Sequence, residues 1–113
     1  MPSRPQELPY RDRLRVDQAK VVDYLLSVTN SRGKATFFLD LGFRTENWTL
    51  MADSLIKHAQ THPVSVMVAS PWGARYSVDG ILESPSGRRA RVRTVWIIET
   101  GTEQPRLVTA HPV

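Results

Sequence analysis

Residues 64–100 read VSVMVASPWGARYSVDGILESPSGRRARVRTVWIIET, and their period decides the fold. Apolar and polar side chains alternate in twos, the repeat of a strand with one buried face. The run is cut twice by the same punctuation, Ser70-Pro71-Trp72-Gly73 and Ser84-Pro85-Ser86-Gly87. Proline suits the second position of a type I turn, and glycine accepts the left-handed residue that follows. Each S-P-x-G therefore predicts a three-residue hairpin loop with a glycine bulge. Strands are expected from Val64, over Ala74 to Glu83 and over Arg88 to Thr100. Gly101 to Pro105 then turns the chain into a last strand, Arg106 to His111.

The turns set a register. Closing them on Ser70/Ala74 and Ser84/Arg88 pairs Val68 with Tyr76, Val66 with Val78 and Asp79 with Arg93. One face then gathers Val64, Val66, Val68, Tyr76, Val78, Val92, Trp96 and Ile98, and closing the last loop on Thr100/Arg106 adds Val108 and Ala110. The opposite face, by parity, holds Arg75, Ser77, Asp79, Arg91, Arg93, Val95, Ile97, Leu107, Thr109 and His111. That second face is half basic and half apolar. Val95, Ile97 and Leu107 exposed together would call for a partner, a ligand or a covering segment. The N-terminal arm, with Leu8, Tyr10 and Leu14, is one such cover.

Upstream of Val64 the period becomes helical. Asp17 reads as an N-cap before Val21, Val22, Leu25 and Leu26. Lys34 to Leu41 fits a short helix, with Gly42 as its stop and Phe43 as the apolar residue beyond. Thr45 is placed as the cap of the next helix, in which Trp48, Met51, Ala52, Leu55 and Ala59 form one stripe, and Pro63 ends it. The fold class is therefore α+β: two to three N-terminal helices packed on one face of a four-stranded antiparallel β-meander. Residues 1–15, rich in proline and charge, read as an extended arm, and 16–113 as a single α+β domain.

Composition narrows the function. The 113 residues suffice for one core. Without cysteine there is no disulfide framework and no thiolate metal site. No apolar run reaches the ~20 residues of a membrane span, and the N-terminus lacks the apolar segment of a signal peptide. A cytoplasmic protein without a membrane partner or cofactor is expected. The net charge of +4 favours acidic partners such as nucleic acid, although small domains with no such partner carry similar charge.

Arg88, Arg89, Arg91 and Arg93 are the densest charge cluster. Arg88 and Arg89, beside the turn, are read as solubilising. Arg91 and Arg93 share a face and could grip phosphate, while a simple pair between Arg93 and Asp79 explains them equally well. Arg75 joins them on that face, and Gly33-Lys34 could offer a weak anion site at a helix start, which makes Lys34 a further candidate for nucleic-acid binding. His58 and His62, four apart, have a spacing that metal sites use, but no HExxH frame surrounds them. His111 lands beside Val95 in the expected register, close to Thr109 and the arginines, where a general base for phosphodiester cleavage would stand. No Walker A motif, GxSxG elbow or framed carboxylate pair occurs.

The stretches GKATFFLDLGF, ENWTLMADSLIKHA, RVRTVWIIE and PRLVTAHP together resemble an uncharacterised family of bacterial domains. Its members occur alone and as C-terminal modules of phage head-morphogenesis and toxin-like proteins. The likeness runs from about Lys20 to Pro112; members often end in tyrosine-proline where this chain has His111-Pro112. More distantly, helices followed by a four-stranded sheet ending in V-T-A-x-P look like the barnase/EndoU/colicin/RelE-type ribonuclease superfold. That resemblance implies metal-independent RNA cleavage by side chains on strands. Arg91, Arg93, Thr109 and His111 would be the catalytic set, with Arg75 and Lys34 helping to hold RNA and a small acidic immunity or antitoxin protein as a partner. The alternative is a non-catalytic module that uses the same sheet face to bind a protein or to self-associate.

Overall fold

The computed structural model describes residues 6–113. After a short 3-10 turn, Arg11–Arg13, come α1 (Gln18–Lys20), a π-helical continuation (Val21–Leu25), α2 (Arg32–Asp40), and a 3-10 turn (Thr45–Asn47) that leads into α3 (Trp48–Thr61). Four strands follow: β1 (Val64–Ser70), β2 (Gly73–Glu83), β3 (Arg89–Glu99) and β4 (Arg106–Pro112). They form one antiparallel sheet in the order β1-β2-β3-β4, so the expected helices-then-meander architecture is the observed one. Among the described residues no helix is long and apolar enough to cross a membrane.

Local signals account for the helix ends. Gly42, at φ +99°, follows the last turn of α2, and its N–H donates to the Leu39 carbonyl at 2.9 Å. The Phe43 N–H reaches back to the Phe38 carbonyl at 3.3 Å, and the two rings meet edge to face with centroids 6.4 Å apart. This is the Schellman arrangement with its apolar clasp. Asp17 stands at the N-cap of α1, but its carboxylate accepts from Arg15 Nε at 2.7 Å rather than from a helix N–H. Thr45 is not a cap: it opens the 3-10 turn, and its hydroxyl donates to Glu46.

The core lies between the helices and one face of the sheet. Phe38, Phe43, Met51 and Leu55 meet Val78, Leu82, Val92, Trp96 and Leu107, all buried. Truncating one of these rings to alanine would cost ~3–5 kcal/mol.

Two of the three expected registers are corrected. The middle hairpin holds, with Asp79 opposite Arg93. In the first, Ser70 pairs with Gly73, so the loop is the two residues Pro71-Trp72 and Val68 stands opposite Arg75, not Tyr76. Gly73 (φ +149°) lies in the ladder itself, where a Cβ would collide with the β3 backbone at Ile98, and the Thr100 N–H ties down the Trp72 carbonyl at 2.9 Å. Those contacts with β3 select the tighter turn. The slip turns Val66 and Val68 to the second face, 43% and 58% exposed, until a bulge after Val64 restores the phase and returns Val64 to the core.

The third hairpin is displaced by two residues, with Thr109 opposite Val95 and His111 opposite Arg93. A bulge between Leu107 and Thr109 then brings Leu107 opposite Trp96 and into the core, where Val108 was expected. The cause is the chain before α1. Arg15 bridges in parallel to Arg106, its N–H donating to the Pro105 carbonyl and its carbonyl accepting from the Leu107 N–H, both at 2.9 Å. Of the expected arm, residues 1–5 lie outside the described residues. Leu8 is buried in the helix-side core, Leu14 packs against it, and Tyr10 is exposed. Leu8 and Leu14 thus join the helix-side core instead of covering the second face.

Candidate functional site

Alternation along β3 and β4 places Arg91, Arg93, Val95, Thr109 and His111 on one face. Arg93 and His111 stand directly opposite each other. From the other side Asp79 on β2 holds Arg93 in a two-point fork, Nε to Oδ1 at 2.7 Å and Nη2 to Oδ2 at 2.9 Å. Only 14% of the Asp79 side chain and 32% of the Arg93 side chain are exposed. The guanidinium, through that hydrogen bond, holds the carboxyl below its ordinary range, and the carboxylate in turn raises the guanidinium. A guanidinium has five N–H donors, so the fork leaves Nη1 without a partner among the described residues. Arg93 is a fixed, oriented donor rather than a loose surface cation.

Arg75 and Arg91 share this face and are exposed. Val95 and Ile97 are half-buried between such neighbours, and Leu107 is not on the face at all. The structure thus brings together Arg91, Arg93, Thr109 and His111, adds Arg75 along β2, and removes one of the three apolar residues expected there.

Lys34, on α2, meets a residue that sequence reasoning passed over, Tyr24. Its ammonium donates to the Tyr24 hydroxyl at 2.6 Å. The Lys20 and Lys34 ammoniums stand 5.0 and 4.9 Å from the centre of the Tyr24 ring. On the β4 side, the Thr109 Oγ1 is buried with no hydrogen-bond partner among the described residues, yet it lies close enough to Tyr24 to influence it. Lys34 first, and Thr109 after it, lower the Tyr24 pKa from the ordinary phenol value. In sequence Tyr24 sits amid the apolar run VVDYLL. The one available signal was Lys20, four residues earlier on the same helical face.

His58 has a different role from the one its spacing to His62 suggested. It is 2% exposed, and its Nε2 lies 3.1 Å from the Gly80 carbonyl and 3.0 Å from that of Val92. A nitrogen facing two carbonyls carries the proton, so Nδ1 accepts from the Thr94 hydroxyl at 3.2 Å; that oxygen in turn accepts from Trp96 Nε1 at 2.9 Å. Burial lowers the pKa of His58. His62 stacks on it with ring centres 4.9 Å apart and lies over Gly80, where no Cβ would fit. Both nitrogens of His58 are committed to the fold. A cavity of about 330 Å³ opens beside it between α3 and β2, lined by Leu50, Lys57, Ile81 and Arg89 among others, with Lys57 and Glu83 3.9 Å apart at its wall.

A four-stranded meander backed by N-terminal helices, with a basic face carrying arginine, histidine and threonine, defines a small α+β domain. The chain belongs to the family described as a domain of unknown function (DUF6883), whose model matches residues 7–113. No curated protein matches it. Among solved structures it is similar to a chain of a contact-dependent growth inhibition toxin–immunity protein complex from Klebsiella pneumoniae 342, with a TM-score of 0.72 and 16% identity, over 91% of this chain and 96% of that one. At that identity the likeness is one of fold.

Proposed function

We propose that this domain is a metal-independent, toxin-type ribonuclease that works on the β3–β4 face. The observation that carries the reading is the direct opposition of Arg93 and His111, with Thr109 next along β4. Arg93, aimed by Asp79, holds the scissile phosphate and stabilises the charge that develops on it. His111, half-exposed, transfers a proton, and Thr109 positions the substrate. Arg75, Arg91 and Lys34 draw the RNA backbone onto the face. The fold shared with a chain of a toxin–immunity complex supports a toxin-type role and an immunity protein as partner, and the net charge of +4 favours an acidic one. Cleavage of RNA by the purified protein in EDTA tests the reading. His111→Ala is expected to slow it ~10²-fold or more, with an unchanged melting temperature. A protein that cleaves no RNA sinks it.

A second reading, a protein-binding module, is favoured by a different observation. β1 is an edge strand without a charged residue, and Val66, Met67 and Val68, together with Trp72 (77% exposed) in the turn after it, are all open to solvent. Such a strand can accept a partner's strand alongside it. A stoichiometric complex blocked by Val68→Lys, in a protein without RNA cleavage, would favour this reading.

A further inference from the structure

The Tyr24 ring packs against the core, but that packing does not require two lysines about it. Tyr24 is only half-buried, so its hydroxyl could be satisfied by water. In a chain of net charge +4, two ammoniums gathered about one phenol repel each other, and among the described residues neither is paired with a carboxylate. That arrangement favours an anion between them, either the phenolate or a phosphate. The Thr109 hydroxyl, buried next to Tyr24, stands on the β4 side of this cage.

We propose that Tyr24 is a catalytic residue, the base that takes the proton from the ribose 2′-hydroxyl of RNA lying across β4, with Lys34 as its positioning residue. The inference rests on the ribonuclease reading above and names the group that reading lacks. Arg93 and His111 supply a phosphate clamp and one proton-transfer group, whereas internal cleavage of RNA needs two. In the step, the Tyr24 phenolate accepts the 2′-hydroxyl proton as the 2′-oxygen bonds to phosphorus. The bond from phosphorus to the 5′-oxygen breaks, and that oxygen takes its proton from the His111 imidazolium. The products are a 2′,3′-cyclic phosphate and a 5′-hydroxyl end, with no external reactant. His111 lies two residues beyond Thr109 on the same face, roughly 7 Å along the strand, and Thr109 is the β4 residue that neighbours Tyr24.

Lys34 fits the positioning role. Its short hydrogen bond stabilises the phenolate over the phenol, and the lowered pKa of Tyr24 has that bond as its first cause.

The test compares the wild type, Tyr24→Phe and Lys34→Gln on total cellular RNA and a mixed-sequence oligoribonucleotide in EDTA, with melting temperature and RNA affinity measured in parallel. Tyr24→Phe is expected to lower kcat ~10²–10⁴-fold with little change in KM or in melting temperature. Lys34→Gln should move the alkaline limb of the pH–rate profile upward, a shift that a merely structural lysine would not produce. Should Tyr24→Phe not fold, the Lys34→Gln profile decides alone, and an unmoved limb overturns the proposal. Cleavage that persists in Tyr24→Phe within a few-fold of wild type overturns the role of Tyr24 while leaving the ribonuclease reading intact. A wild type that cleaves no RNA overturns both.

Discussion

Replacing Thr94 by valine probes the buried polar chain that joins α3 to the sheet. Thr94 is fully buried, and its hydroxyl serves two groups at once, accepting from Trp96 Nε1 at 2.9 Å and donating to His58 Nδ1 at 3.2 Å. Valine has nearly the same shape, so no cavity opens, but the indole N–H and the imidazole nitrogen both lose their partner where water does not reach. An orphaned buried group costs ~1–3 kcal/mol. Two of them, less a few tenths for valine's better strand propensity, come to about 3–4 kcal/mol. That is a large part of the ~5–15 kcal/mol that holds a domain of this size folded. The melting temperature should fall by roughly 4 °C per kcal/mol, hence about 12–16 °C. Urea unfolding at pH 7.5, followed by tryptophan fluorescence and by circular dichroism, measures the loss. Thr94→Ser keeps the hydroxyl and gives up only a methyl, so it should lose about 1 kcal/mol. A Thr94→Val protein within ~0.5 kcal/mol of wild type would show that the hydroxyl does not bridge the two rings.

The same histidine predicts an acid-side loss of stability. Burial depresses the pKa of His58 in the folded state below the ordinary 6.5, so the unfolded chain takes up its proton first. Stability from this group is therefore whole above about pH 6.5 and declines as the pH falls from there towards the folded pKa, by up to ~1.4 kcal/mol per unit. Unfolding free energies between pH 5 and 8 should show this slope in the wild type and a smaller one in His58→Gln; identical slopes would remove His58 as the cause. On the sheet face, Arg75→Ala with Arg91→Ala should weaken RNA binding and flatten its dependence on salt by somewhat under one unit per lost phosphate contact. Both side chains are exposed, so the change should leave the fold intact. A salt slope that stays the same would show that these arginines do not face the backbone of RNA.

What could be read from residues in order was whatever rests on neighbours in the chain. The period of two from Val64 on, and the i, i+3, i+4 stripe from Trp48 to Ala59, reflect backbone geometry that any strand or helix imposes, so the element order and the α+β class followed. Gly42 and Phe43 were legible for the same reason, because the end of a helix is closed by the next two residues. The Ser84–Gly87 turn gave the pairing of Asp79 with Arg93 because its own residues set the closure, and the Leu41 carbonyl that accepts from the Ser86 N–H does not shift it.

The remaining features depended on chain segments far apart in sequence. A one-residue slip is nearly free in local terms but turns every side chain over. It was decided at β1 by the approach of Gly73 to β3, and the offset at β4 by Arg15 bridging Arg106 from ninety residues away. His58 offered only a spacing to His62 without a metal-binding frame, and its role came from β2 and β3, which supply Gly80, Val92 and Thr94 as its partners. Tyr24 was passed over in the VVDYLL run, and its setting came only with α2, which brings Lys34 to its hydroxyl, and β4, which brings Thr109. The sequence by itself determined which elements form, because a helix or strand is set by its own repeat. Only the tertiary structure decided which side chains share a face and which polar atoms meet, because those contacts join residues that no local rule connects.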